Sequence, residues 1–97
     1  MKRTIDKLRD CIRGQRYLIS VHANKEMSDD DLVGVDLENA VLTGRIAKRL
    51  TKDLRGTRYE VVGQACDGRA VAVICRTIGP DWLRIVTVYA LEGDEDE

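Results

Sequence analysis

The residues in this chain whose types can do chemistry are one histidine, His22, and a small set of charged side chains, Arg58, Glu60 and Arg84. Imidazole can both take and give a proton near neutral pH. A carboxylate such as Glu60 is a second candidate base. Arg58 and Arg84 can each grip a phosphate through two parallel N–H bonds. Together these groups supply a proton carrier and the cations that stabilise developing negative charge on phosphorus. The densest basic run, Arg45, Lys48, Arg49, Lys52, Arg55 and Arg58, is interrupted by Asp53 and can attract phosphates. Plainer roles stay open for each. His22 can bond within its own helical turn, Glu60 can balance neighbouring arginines, and the basic run can be a solvated strand-and-loop surface.

Other chemistries find little support. The cysteines, Cys11, Cys66 and Cys75, are odd in number and lack Cys-x-x-Cys spacing. A disulfide framework and a zinc site are therefore disfavoured. Cys66 and Cys75 have no histidine nearby in sequence to activate a thiol. Gly63 and Gly68 read as strand and turn glycines rather than a phosphate-cradling loop. The expectation is a site with no metal and no cofactor.

These side chains need elements to position them. Ile5, Leu8, Cys11 and Ile12 recur at helical spacing, which predicts a helix over Thr4–Arg13 with Thr4 as cap and Gly14 as a left-handed stop. Arg16–Val21 alternates and reads as a short strand or extended entry. Ser20 then caps a helical turn over His22–Met27. Asp36 caps a further short helix that buries Leu37, Ala40 and Val41 and stops at Gly44. From Arg45 the period becomes two, predicting strands at Arg45–Thr51, Arg58–Ala65, Arg69–Thr77 and Trp82–Leu91.

Asp67-Gly68 reads as a two-residue hairpin link and Ile78-Gly79-Pro80-Asp81 as a four-residue turn, so the last three strands are antiparallel neighbours. That register pairs Val62 with Val73, Tyr59 with Arg76 and Cys75 with Arg84. It puts Val61, Ala65, Ala70, Ala72, Ile74, Leu83, Ile85, Thr87 and Tyr89 under the helices. Val62, Val71, Val73, Val86 and Val88 fall on the open face, bordered by Arg58, Glu60, Gln64 and Arg84. Tyr59, Tyr89 and Thr87 then read as structural. A slip of one residue exchanges the faces.

The chain has 97 residues, no Phe and one Trp, so its thin core must come from aliphatic side chains. No apolar run approaches the roughly 20 residues needed to span a bilayer, and no signal peptide is visible. With reduced thiols, a cytoplasmic location and no membrane partner are expected. The formal charge of −1 conceals an asymmetry. Five acids crowd into residues 92–97, and the remaining 12 face 16 basic residues. Residues 1–91 read as one α+β domain, and 92–97 as an acidic tail expected to be disordered.

The ordered set Tyr17–Ala23 with Met27, Asp36–Gly44, Arg58–Gly63, Gly68–Val73 and Ile85–Tyr89 resembles the family named domain of unknown function 4258. The resemblance covers Arg16–Leu91. That family is similar to the RelE and BrnT type toxins of bacterial toxin–antitoxin systems. The resemblance implies N-terminal helices packed on one face of a four-stranded antiparallel meander and metal-independent RNA cleavage. It also implies RNA as substrate and a protein antitoxin as partner. On this reading His22, Arg58, Arg84 and Glu60 are the catalytic set, and Arg45, Lys48, Arg49, Lys52 and Arg55 bind RNA. The family's start reads His-Ala, two variable residues, Arg-Met; here Glu26 stands at the Arg place. A second expectation is a non-catalytic interaction module that binds a protein partner, or a second copy as a homodimer, through the valine-rich open sheet face.

Overall fold

The computed structural model describes residues 3–52 and 54–91; the acidic tail lies outside them. The elements run α1 (Thr4–Arg13), β1 (Tyr17–Ile19), α2 (Val21–Asp29), α3 (Gly34–Thr43), β2 (Arg45–Leu50), β3 (Arg58–Gln64), β4 (Ala70–Ile78) and β5 (Trp82–Ala90). Three helices cover one face of a mixed five-stranded sheet of order β1-β5-β4-β3-β2. No helix among the described residues is long and apolar enough to cross a membrane.

The expected four-stranded meander is present as β2–β5, but the sheet has a fifth strand. β1 lies parallel to β5, with Tyr17, Leu18 and Ile19 opposite Leu83, Arg84 and Ile85. This is the short strand expected within Arg16–Val21; its place in the sheet was not legible, because a parallel pairing across more than 60 residues of chain has no local signal. The helix ends also shift. α1 is capped by Arg3, and the left-handed residue after it is Gln15, at φ 60°, rather than Gly14. α3 begins at Gly34, before Asp36.

Asp36 caps that helix from inside it. One carboxylate oxygen accepts the Val33 N–H and the other the Cys66 N–H, each at 3.0 Å. One side chain thus ties the start of α3 to the β3–β4 turn. These two N–H bonds, stronger than the opposing effect of burial, hold its carboxyl below the usual 3.8.

The turn itself differs from expectation. Ala65 N–H donates to Arg69 O and Gly68 N–H to Ala65 O, giving a loop of Cys66, Asp67 and Gly68, with Gly68 at φ 91°. This is the three-residue hairpin in which a turn is followed by a left-handed glycine. It pairs Val61 with Val73 and Val62 with Ala72, one step away from the expected register. The β4–β5 link is also one residue shorter, because Ile78 pairs with Trp82. A bulge then follows, since Cys75 faces Ile85 while Ile74 faces Thr87, which leaves Val86 as the extra residue.

The faces of β4 are therefore reversed, and those of β5 reverse beyond Val86. Val71, Val73, Cys75 and Val88 are fully buried in the core under the helices. The valine-rich open face does not exist. Ile74, Thr87 and Tyr89 lie instead on the open side, paired with or beside Glu60 and Ala72.

α3 sits tightly on β3. A Cβ added at Gly63 would lie 1.9 Å from the Ala40 carbonyl oxygen and 2.9 Å from Gly44 Cα, both backbone atoms that cannot swing aside. Gly63→Ala should destabilise the fold by roughly 3 kcal/mol, measured by urea unfolding, as overpacking against fixed backbone does. Gly34→Ala, where a Cβ meets nothing within 4 Å, is the near-neutral control.

For Asp36 the sign follows from its lowered pKa. Its contribution is complete above the unfolded value of 3.8 and is lost as pH falls through the lower folded value. Asp36→Asn should cost about 1–3 kcal/mol at neutral pH, because one buried N–H then faces an amide donor. The gap between wild type and variant should narrow below pH 4 in denaturation series taken across pH.

Candidate functional site: an arginine row beside His22

The open face of the sheet carries a row of like charges. Arg76 on β4 stands directly opposite Arg84 on β5. Arg58 lies one residue beyond the Tyr59–Cys75 pair of β3 and β4, which brings it into line with Arg76. Neighbouring strands are about 4.8 Å apart, so three guanidinium stems project side by side. The row ends in leucines, with Leu50 paired to Arg58 on β2 and Leu18 to Arg84 on β1. Like charges directly opposite one another oppose pairing. Such a row gives this part of the open face a positive potential that attracts anions.

The row forms the floor of a cleft of about 490 Å³ lined by Ser20, His22, Arg55, Arg58, Arg76, Arg84 and Val86. Among the described residues that line the cleft none is a carboxylate. Four of them, His22, Arg55, Arg58 and Arg84, are residues that the sequence nominated. Arg76 was missed, because the two-residue turn placed it on the other face. The usable signal was the turn itself, since Gly68 fits a three-residue loop as well as a two-residue one.

His22 reaches the cleft through β1. That strand's pairing with β5 brings the start of α2 beside Arg84 and Val86. Ser20 fixes the junction: its hydroxyl oxygen accepts the Ala23 N–H at 3.0 Å, and its O–H donates to the carbonyl of the bulged Val86 at 3.0 Å. The expected N-cap is thus also the clamp on the bulge. His22 Nε2 lies 3.3 Å from Glu26 Oε1 one turn on, and Glu26 also accepts the Val88 N–H. The acid at the family's Arg place is engaged with the backbone and the imidazole and does not line the cleft.

Glu60 is on the open face as expected but outside the cleft. It accepts the Tyr89 hydroxyl at 3.2 Å and lies opposite Lys48 on β2. Burial, and then the Glu60 carboxylate, push the Tyr89 phenol above its ordinary pKa. The remaining basic residues divide. Arg45 and Lys48 pair with open-face residues of β3, whereas Arg49 stacks over the Tyr59 ring with its guanidinium 5.5 Å from the centroid. Lys52 lies beyond β2, in a groove with Arg49 and Arg58.

Among the described residues no group of three or more His, Cys, Asp or Glu is arranged to hold a metal ion. Burial raises the thiol pKa of Cys75 to about 12, and the buried Cys11 Sγ contacts the Asp81 carbonyl, so neither thiol lies in the cleft.

The arrangement can hold a phosphoryl anion and exchange a proton beside it. Arg76→Gln relieves the central like-charge contact and should raise stability by about 0.5 kcal/mol in thermal unfolding. The same change should weaken binding of a short oligonucleotide by roughly tenfold, measured by calorimetry, as expected for the loss of one charge-assisted bond.

No curated protein and no solved structure shows significant similarity to the chain. The model of the family described as a domain of unknown function, DUF4258, matches residues 19–90, from the last residue of β1 to the end of β5 and including every residue that lines the cleft. The chain belongs to the DUF4258 family.

Proposed function

We propose that this protein is a metal-independent endoribonuclease of the RelE/BrnT kind, acting in the cleft on the open face of its sheet. The observation that carries the reading is the aligned row Arg58–Arg76–Arg84 with His22 at its end. In metal-independent cleavage the RNA 2′-hydroxyl attacks the adjacent phosphorus, and the 5′-oxygen leaves. The products are a 2′,3′-cyclic phosphate and a 5′-hydroxyl. The transition state gathers negative charge on the non-bridging oxygens, which is where a preformed guanidinium row contributes most.

His22 takes the 2′-hydroxyl proton, with Glu26 as the positioning residue beside its Nε2, and the departing 5′-oxygen takes a proton from solvent water in the open cleft to give the 5′-hydroxyl. Arg76 and Arg84 hold the non-bridging oxygens, and Arg58 extends the same field. Glu60, held by Tyr89 outside the cleft, has no direct part in this arrangement. On the same reading the partner is a protein antitoxin whose acidic side chains cover the arginine row.

The test is incubation of the purified protein with single-stranded RNA in the presence of a chelator. Cleavage with cyclic-phosphate ends is expected, and His22→Ala should slow it by roughly 10²–10⁴-fold. Glu26→Gln should reduce the rate less and shift its pH profile. RNA left intact, or cleavage untouched by His22→Ala, overturns the assignment.

A further inference from the structure

Two other grooves with arginines in their lining share a residue with the cleft or with each other. Arg58 lines both the cleft and a groove of about 440 Å³ with Leu50, Thr51 and Lys52. Arg49 lines that groove and also a third, of about 540 Å³, formed between α1 and the β2 edge by Arg3, Arg9, Arg45 and Ile46. Two shared arginines thus link three concavities into one path around the free edge of the sheet.

The far end of the path is built rather than incidental. Arg9 is held by a 2.9 Å bond from its Nη2 to the Gly44 carbonyl, at the junction of α3 and β2. Its Nε is buried and has no hydrogen-bond partner among the described residues. Its Nη1 lies 3.9 Å from Asp6 Oδ1, a carboxylate that Arg3 Nε also reaches at 3.1 Å. Arg49, at the middle of the path, is held over the Tyr59 ring.

We infer that the path from the arginine row to the Arg9 groove binds a single-stranded RNA backbone, so that the substrate is an extended strand rather than a nucleotide. This rests on the ribonuclease reading and deepens it. The length fits. β2 contributes about 17 Å along its axis, and the step from β2 to β5 adds about 14 Å at ordinary sheet spacings. Single-strand grooves with site sizes of about 4–16 nucleotides span such distances. An added protein strand fits the edge less well. The register shift at Ala47 breaks the regular ladder of β2, and Arg and Lys on an edge strand deter further pairing.

The experiment uses 2′-O-methyl oligoribonucleotides, which the enzyme cannot cleave, in lengths of three to twelve nucleotides. Affinity should climb with length. The double variant Arg45→Gln/Arg49→Gln, checked for folding by circular dichroism, should bind the twelve-nucleotide strand roughly 10- to 100-fold more weakly. Its dependence of log affinity on log salt should be shallower by about 1.4, at about 0.7 per lost phosphate contact on a single strand. Arg3→Gln, a change at an exposed residue, should give a smaller loss in the same direction. Trinucleotide binding that Arg84→Gln abolishes, with no gain on lengthening, rejects the path and leaves the cleft reading standing. Failure to bind any length overturns both. A glutamate-rich peptide that displaces the twelve-nucleotide strand at equal concentration overturns RNA as the occupant in favour of an acidic protein segment.

Discussion

The register of β4 against β3 is the constraint on which the rest of this molecule depends. It is set by the three-residue turn Cys66–Gly68, and several parts of the fold hold that turn. Asp36 accepts the Cys66 N–H from inside α3. Arg69, just after the turn, donates to the carbonyls of Asp30 and Asp31 at the end of α2. A strand has two faces, so a register error of one residue is a complete exchange rather than a small displacement. In the observed register Val71, Val73 and Cys75 fill the core and Arg76 joins Arg84 outside. In the alternative the valines would face solvent, and Arg76 would need burial beneath the helices. The hydrophobic cost of exposing the valines and the desolvation cost of burying a guanidinium act in the same direction. Core formation and site assembly are thus one event.

The second determinant is the bulge at Val86. It returns Arg84 and Tyr89 to one side of the sheet although they stand five positions apart, an odd step that would otherwise put them on opposite faces. Ser20 satisfies the Val86 carbonyl with the hydroxyl that also caps α2. The helix carrying His22 is therefore fastened to the irregular point of the strand carrying Arg84. Glu26 adds a second fastening through the Val88 N–H while holding the imidazole. The acid at this place is thus spent on the strand and the histidine and does not line the cleft.

The arginine row works against the stability of the sheet that carries it, since like charges face each other across paired strands. The interaction-module reading depended on an apolar open face, and the observed register places Val71, Val73 and Val88 in the core. The sheet instead offers charge, flanked by Leu18 and Leu50.

By itself the sequence determined the helices, the four strands of the meander, the Ser20 cap and the grouping of Arg58, Glu60 and Arg84 on one face of the sheet. These follow from spacing within a segment, where period and capping chemistry act over a few residues. It also carried the family resemblance, because that rests on ordered local strings. Only the tertiary structure decided the parallel fifth strand, the reversal of β4, the entry of Arg76 and the bonding of Tyr89 to Glu60. Each depends on contacts between distant segments. One loop residue more or fewer is a small local change, and burial of a whole strand face selects between the two. The histidine and the arginines were legible one by one, and the cleft that collects them is a product of the register.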